Sequence, residues 1–215
     1  DLGWKLEGIL NGWGGKKLLS SFESERKPVA ARNIGFSTFN FKSWLDTPDP
    51  SAVCDDTELG AQARAKVGLR LRESTRVEWE SLGLQIGHRY ENSPICVSDG
   101  SPPTADEYST YIPSSRPGSR APHVWLQDGR STLDLFGKSF TLLVLANSDS
   151  SEISKITDAF GRREVPLTVV SIQDPEVFSV YERKLVLVRP DGHVGWRGES
   201  ADDADVIVDT LRGAV

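Results

Sequence analysis

The spacing of apolar residues indicates helices in the first part of the chain. It keeps a helical period over residues 2–10, 16–45 and 55–79. Pro28 lies inside the second of these stretches, and because its ring removes one helical hydrogen bond, we expect a break or a kink there. Residues 47–51 contain two prolines and are predicted to link the second helix to the third.

The pattern changes after residue 83. Apolar and polar residues alternate over residues 84–90, which is typical of a strand. Residues 98–120 are rich in Ser, Pro and Gly, so we expect a long extended linker there without a helix. The first segment, residues 1–97, is therefore predicted to be helical and to end in a strand.

From residue 121 the pattern becomes that of an α/β domain. Strands are predicted at residues 139–146, 166–172, 184–188 and 193–197, and helices at residues 151–160 and 201–211. The last two strands flank Asp191-Gly192, which is a strong hairpin signal. Ser200 is the expected N-cap of the last helix. The order strand, helix, strand, hairpin, helix is that of a thioredoxin-like domain over residues 121–215.

The predicted fold class is thus α/β, with a thioredoxin-like C-terminal domain preceded by a helical segment and a long extended linker. The core of the last domain is expected to contain the aromatic residues Trp125, Phe136, Phe140 and Trp196. A thiol redox site would need a CxxC motif at the first strand-to-helix turn. That turn reads Asp149-Ser150-Ser151-Glu152, so disulfide exchange is excluded, and Asp149 or Ser150 is expected to cap the helix.

Composition excludes several classes of function. The chain has 215 residues, with 25 Lys and Arg against 31 Asp and Glu, and the net charge of −6 argues against nucleic-acid binding. The longest apolar stretch, residues 140–146, is too short to cross a membrane, and no secretory signal opens the chain, so a cytoplasmic location is expected. Cys54 and Cys96 have no metal-ligand spacing, so no metal site is predicted. Because the sequence lacks Met, we expect it to be part of a longer translation product.

Three segments carry a resemblance to a known family. They are DLGWKL at residues 1–6 with LLSSFESERKPVA at residues 18–30, RPGSRAPHVWL at residues 116–126 with DGRSTLDLFG at residues 128–137, and LVRPDGHVGWRG at residues 187–198. In this order they resemble the C-terminal part of the FAD-dependent aromatic hydroxylases, the flavoprotein monooxygenases built like p-hydroxybenzoate and phenol hydroxylase. Asp1 stands where that family usually has Asn, and Phe22 where it usually has Tyr.

The resemblance implies that FAD and NAD(P)H serve the whole enzyme. The flavin-binding motifs of the family, including its glycine-rich strand-to-helix turn, are absent here, and their expected places lie upstream of Asp1. We therefore expect this chain to be roughly the last two fifths of such an enzyme, with the N-terminal FAD-binding part as a companion chain or a missing region. The isolated chain is expected to bind no cofactor and to perform no hydroxylation.

Asp1, Leu2 and Trp44 are the first candidates for site residues. In the family, the helix that begins at Asp1 and Leu2 follows the last flavin motif, so the resemblance implies that its start points toward the flavin. Without that partner the segment is an ordinary amphipathic helix. Trp44 and the phenylalanines before it are expected to cover a pocket for a small aromatic substrate in the intact enzyme, and to expose an apolar patch in the isolated chain.

Arg116, Arg120 and His123 are candidates for a substrate or interdomain surface. With Arg130, the two arginines form a basic cluster that could guide an anionic aromatic substrate or a nicotinamide phosphate. In the alternative, the arginines pair with nearby aspartates and pin the long loop, and His123 donates a hydrogen bond to a nearby carbonyl. No residue is assigned a catalytic role.

Two functions remain open at this point. In the first, the chain supports substrate cover and homodimer contacts as part of a FAD/NAD(P)H-dependent hydroxylase of phenolic or polyketide-like substrates. In the second, it is a truncated stand-alone paralogue that acts as a binding or dimerisation module, or as a non-redox isomerase or cyclase. A GxGxxG strand-turn-helix encoded upstream would decide for the first function.

Overall fold

The computed structural model describes residues 1–45 and 48–215. Its helices are α1 (Leu2–Leu10), α2 (Lys16–Leu45), α3 (Glu58–Trp79), α4 (Leu82–Ile86), α5 (Ser150–Arg162), α6 (Pro175–Tyr181) and α7 (Ala204–Leu211), with a 3-10 turn at Thr132–Leu135. Its strands are β1 (Phe140–Leu145), β2 (Leu167–Ile172), β3 (Leu185–Val188) and β4 (Val194–Gly198). Thr47, the first residue of the predicted linker, lies outside the described residues.

The elements fall into two compact units. The first unit comprises Asp1–Lys27, His88–Ala105 and Ile112–Val215, and the second comprises Pro28–Gly87 and Asp106–Tyr111. The chain therefore passes through the first unit three times. No helix in the described part is both long and apolar enough to cross a membrane.

The first unit is built on a mixed four-stranded sheet with the strand order β2-β1-β3-β4. β1 runs parallel to β2, as the α5 crossover requires, whereas β3 runs antiparallel to β1 and to β4. The predicted strand, helix, strand, hairpin, helix layout of a thioredoxin-like domain is confirmed. The structure adds α6, which begins at Pro175 after the N-cap Asp174 and was not predicted.

Alternate residues of the central strands face two separate apolar layers. Leu142 and Val144 of β1 pack into one layer with α5 and α7, whereas Leu143 and Leu145 pack into the other with α6. Every residue of β1 is buried, as expected for a continuous apolar run covered on both faces. The sheet is therefore the middle of three layers.

The N-terminal helices of the first unit belong to the same core as the sheet. Trp4 and Trp13 both pack edge-on against Phe140 of β1, at centroid distances of 5.7 and 6.2 Å. The end of the chain closes on the start of α2, because Gly15 donates its backbone N–H to the carbonyl of Arg212, and Lys17 to that of Gly213. Segments from both ends of the sequence thus complete one hydrophobic core.

The second unit brings the later part of α2 together with α3, α4 and residues 106–111. Arg32 of α2 pairs with Asp106 at 2.6 Å and also donates to the carbonyl of Leu84 in α4. Leu84 in turn donates its backbone N–H to Tyr108. The backbone of Gly83 lies so close to residues 107 and 110 that a side chain there would overlap their carbonyl oxygens.

Two predictions for the helical segment are wrong. The break predicted at Pro28 does not occur, because α2 continues through this residue, which is exposed. Residues 84–90 do not form a strand, because residues 82–86 form the short helix α4. The hydrogen bond from Leu84 to Tyr108 and the tight packing at Gly83 are tertiary contacts, and the alternating pattern does not report them.

Two predictions for the last domain also need correction. The last helix begins at Ala204 with Asp203 as its N-cap residue, because the Ser200 hydroxyl instead bonds Asp202. Trp125 is 66% exposed and lies outside the core, whereas Phe140 and Trp196 are buried in it. Asp149 is confirmed as the N-cap of α5, where its carboxylate accepts the backbone N–H of Ser151.

Candidate functional site

Ionisable side chains meet inside the first unit, where α1, α2 and the β3–β4 hairpin come together. They are Lys5 of α1, Glu25 of α2, and Arg189, Asp191 and His193 of the hairpin. The side chains of Lys5, Glu25 and Arg189 are fully buried, and those of Asp191 and His193 are 3% and 5% exposed. We call the first four of these residues the buried charge network; its two cations and two anions balance.

Glu25 lies at the centre of the buried charge network. Its two carboxylate oxygens accept hydrogen bonds from the two terminal nitrogens of Arg189, at 2.6 and 3.0 Å. Lys5 Nζ donates to the same carboxylate at 2.5 Å, and the Ser93 hydroxyl does so at 2.6 Å. Such bidentate, charge-assisted contacts are among the strongest hydrogen bonds in proteins.

Arg189 uses its other edge to bind Asp191. Its Nη2 donates to Asp191 Oδ2 at 2.6 Å, and its Nε donates to Oδ1 at 3.2 Å. The indole Nε1 of Trp4 also donates to Asp191 Oδ2, at 3.0 Å. The guanidinium lies between two aromatic rings, with its carbon 5.2 Å from the Trp4 ring centre and 5.3 Å from that of Tyr90.

Local sequence explains why these side chains converge. Leu18, Ser21 and Glu25 follow one another at helical spacing on α2, so they share its buried face. Gly192 has a φ of +77°, a conformation that favours glycine, and it turns the chain so that β4 returns beside β3. Arg189 and Asp191 precede Gly192, two positions apart, and both contact Trp4 of α1.

The neighbouring positive charge of Arg189 keeps Glu25 and Asp191 ionised. Burial acts to raise the pKa of Glu25, but the charge and hydrogen bonds of Arg189 outweigh it, so that pKa lies below its ordinary value. For Asp191, burial again acts to raise the pKa, and the nearby Arg189 brings it far below the usual range. Burial lowers the pKa of Lys5, and its contact with Glu25 opposes that shift.

His193 lies at the edge of the buried charge network. Its ring stacks on Tyr90 at a centroid distance of 4.2 Å, and neither ring nitrogen has a hydrogen-bond partner among the described residues. Together with Asp1 and Asp191 it offers ligand atoms within 4.8 Å of one another. Since Arg189 already binds both oxygens of Asp191 and its charge opposes a second cation, we assign no metal site there.

The start of α1 lies beside this network. Asp1 occupies the N-cap position, but its carboxylate makes no capping hydrogen bond and instead pairs with Arg26 at 3.2 Å. Arg26 also donates to the Tyr90 hydroxyl. Leu2 is 38% exposed. The first N–H groups of α1 therefore receive no acceptor from the cap side chain, and they carry the positive end of the helix dipole.

A cavity of about 540 Å³ lies within the second unit, between α2 and α3. Its walls include the rings of Phe36, Phe39 and Tyr108, and Arg76 and Glu80 contribute polar groups. The Phe36 and Tyr108 rings pack together at 5.0 Å. A cavity of this size, with aromatic walls and a few polar groups, is typical of small-molecule sites.

The structure places the other predicted residues apart from the buried charge network. Arg116 pairs with Glu91 at 2.9 Å and donates to the Ser101 carbonyl, so it holds the long loop in place. Its acidic partner is a glutamate, whereas an aspartate was predicted. Arg130 pairs with Asp128, as the alternative prediction had it. These contacts favour the structural role for both arginines.

The remaining predicted residues lie on surfaces. Arg120 is exposed, and its backbone forms an isolated bridge with His193. His123 Nδ1 lies 2.6 Å from the Ser131 hydroxyl, not a carbonyl, and its ring packs edge-on against Trp125. Trp44, near the end of α2, is 47% exposed.

Sequence reasoning missed the buried charge network, although all its members lie in the first and third resembling segments. The helical spacing of Leu18, Ser21 and Glu25 was the available signal, because it put a charge on an apolar face. The partner of that charge, Arg189, lies 164 residues away, and no local pattern connects the two.

Comparison with known proteins identifies the family. Residues 114–215 match the family model described as "Aromatic-ring hydroxylase, C-terminal". The whole chain also superposes on the rebeccamycin biosynthetic enzyme RebC, solved with reduced flavin, with a TM-score of 0.89 and 43% identity. Residues 114–215 belong to the aromatic-ring hydroxylase C-terminal family, and the whole chain matches the C-terminal part of flavin-dependent hydroxylases.

Individual relatives agree with that assignment. The FAD-dependent monooxygenase apdD of Emericella nidulans is 32% identical over 99% of this chain, and aklavinone 12-hydroxylase RdmE of Streptomyces purpurascens is 30% identical over 99%. The match covers 36% and 38% of those proteins and 40% of the RebC chain. The chain thus spans about two fifths of the length of the relatives it matches.

The first strand-to-helix turn of the thioredoxin-like domain does not fit FAD. The strand-to-helix turn between β1 and α5, residues 146–149, contains no glycine, and the Asp149 carboxylate already accepts the N–H of Ser151. An anionic pyrophosphate does not fit there, because dinucleotide sites need glycines and free N–H groups at this turn.

We expect Glu25→Gln to lower the free energy of unfolding by about 3–5 kcal/mol, because it leaves Arg189 and Lys5 buried without a full counter-charge. Urea unfolding followed by tryptophan fluorescence measures this change. The matched control is Glu23→Gln, two residues earlier on α2, where the exposed pair with Lys27 contributes little. Equal effects of the two substitutions would contradict the role assigned to the network.

Low pH is expected to lower the free energy of unfolding through the same two carboxylates. The pKa values of Glu25 and Asp191 lie below their ordinary values of 4.5 and 3.8, so these groups stabilise the fold above those values. That stability is lost as the pH falls below about 4.5 toward the pKa of the folded state. In urea titrations between about pH 6 and 3, the free energy of unfolding should therefore fall less steeply in Glu25→Gln than in the unsubstituted protein. Parallel curves of unfolding free energy against pH would refute this.

Proposed function

We propose that this chain is the C-terminal part of a FAD- and NAD(P)H-dependent hydroxylase of phenolic or polyketide-like substrates, inactive in hydroxylation by itself. The observation that carries the proposal is that FAD-dependent relatives match the whole chain, while the chain spans only about two fifths of them. When bound, FAD supplies electrons taken from NAD(P)H and transfers oxygen to the aromatic ring.

In this proposal the start of α1 faces the flavin, with Asp1 and Leu2 nearest to it. The dipole of α1 favours negative charge at its first turn, and the N-cap carboxylate is turned to Arg26 and does not occupy that turn. Uncapped N–H groups can therefore stabilise the electron-rich side of a reduced flavin ring.

The second unit would provide the substrate cover. Phe36 and Phe39 line its 540 Å³ cavity, so aromatic faces are available to pack on a planar substrate. Trp44, Phe41 and Leu45 are exposed toward the end of α2, by 47%, 65% and 71%. Exposed apolar surface of this extent indicates a partner, which we propose to be the N-terminal flavin-binding part.

Arg120, His123 and the exposed Trp125 are proposed to form an interdomain surface of the intact enzyme. A tryptophan packed edge-on against a histidine gives an apolar surface with a polar rim, which is common in interfaces. We propose the same surface for homodimer contacts. Arg116 is left out of this surface, because Glu91 and the Ser101 carbonyl already bind it.

Native mass spectrometry of the protein encoded by the complete gene tests the proposed function. We expect a yellow protein with FAD bound, about 2.7 times as long as this chain given the coverage of its relatives, and either monomeric or dimeric. The 23.6 kDa chain alone should be colourless. A complete gene product without flavin, or turnover by the isolated chain, would favour the stand-alone binding module, isomerase or cyclase.

A pair of exposed apolar residues tests the substrate cover. In the full-length enzyme we expect Phe39→Ala to raise KM for a phenolic substrate about tenfold, with little change in kcat, because Phe39 lines the cavity. Leu69→Ala on α3 is the matched control, since Leu69 is similarly exposed but is not among the lining residues. Equal KM values for the two variants in steady-state kinetics would reject the cavity as a substrate site.

A further inference from the structure

The position of α1 depends on tertiary contacts. The helix has nine residues, fewer than an isolated helix needs for stability in water, and its N-cap side chain makes no capping hydrogen bond. Its buried residues are Trp4, Lys5 and Gly8. The contacts of Trp4 and Lys5 therefore decide where the first turn lies.

Trp4 binds the hairpin through a single polar atom. Its indole Nε1 donates to Asp191 Oδ2 at 3.0 Å, while its ring packs on Trp13 and Phe140. Ring packing allows small sliding movements, whereas a hydrogen bond to a fixed acceptor defines both distance and direction. This bond is therefore the contact that sets the register of the first turn against the hairpin.

Asp191 is itself a fixed acceptor. Arg189 binds both of its oxygens, and Glu25 in turn binds Arg189 through two hydrogen bonds. The Asp191 side chain is 3% exposed, so no bulk water competes for it. The acceptor of the Trp4 bond thus has a position that the buried charge network defines.

We infer that Trp4 and Asp191 are positioning residues for the flavin, which neither of them needs to touch. The inference rests on the proposed function, in which the first turn of α1 faces the flavin. Through the Trp4–Asp191 bond, the hairpin of the thioredoxin-like domain fixes the N–H groups of that turn at the flavin edge. Displacement of such donors by about 1 Å is enough to weaken a preorganised site strongly.

Trp4→Phe in the full-length enzyme tests the inference. It removes the N–H donor but leaves the Glu25–Arg189–Asp191 contacts intact. Trp13→Phe is the matched control, because Trp13 is equally buried in the same core and its Nε1 has no hydrogen-bond partner among the described residues. We expect Trp4→Phe to raise the Kd for FAD about tenfold and to shift the flavin reduction potential, with less than a twofold change for Trp13→Phe.

Amide hydrogen exchange separates positioning from general destabilisation. In Trp4→Phe the amides of Leu6, Glu7 and Gly8 should exchange faster than in Trp13→Phe, while the amides of β1 stay equally protected in both. Equal losses of FAD affinity in the two variants, or unchanged exchange in α1, would overturn the inference. If the unsubstituted full-length protein binds no FAD, the proposed function itself has failed, and that result is known before any variant is made.

Discussion

The doubly hydrogen-bonded pair of Glu25 and Arg189 is the interaction on which the first unit depends. Both side chains are fully buried, and a buried charge without its partner costs several kcal/mol, so neither residue is tolerated alone. The pair joins α2 to the β3–β4 hairpin across 164 positions of the sequence. Lys5 binds Glu25 and Asp191 binds Arg189, so that the total charge of the four residues is zero. This neutrality allows α1 to pack against the sheet.

This arrangement gives the thioredoxin-like domain a role that is separate from thiol chemistry. The turn that would carry the redox cysteines is capped by Asp149, while the opposite end of the domain, at the hairpin, binds the helices that precede it. The role that the structure shows for the domain is geometric and electrostatic, because its hairpin holds α1 and α2 through buried hydrogen bonds and charges. The second unit differs in its main features, which are a cavity with aromatic walls and an exposed apolar end of α2.

Elements with local signals could be predicted from the sequence. The apolar run of β1 and the Asp191-Gly192 turn depend on neighbouring residues, and both were predicted. The helix α4 was missed because Leu84 bonds Tyr108, a contact invisible to periodicity. The α6 helix had a signal, Asp174 followed by proline, that was not used. The pairing of Glu25 was not accessible, because a charge on an apolar helix face indicates a partner without naming it.

The end of the chain closes on its beginning, through the hydrogen bonds from Gly15 and Lys17 to Arg212 and Gly213. A domain joined in this way cannot be removed or exchanged as a separate segment. Fusion, exchange or deletion of the last hundred residues among related enzymes would cut through a shared core and would separate buried charges from their partners. Recombination within the family is therefore expected to preserve both ends of this region together, so that they evolve as one inherited block.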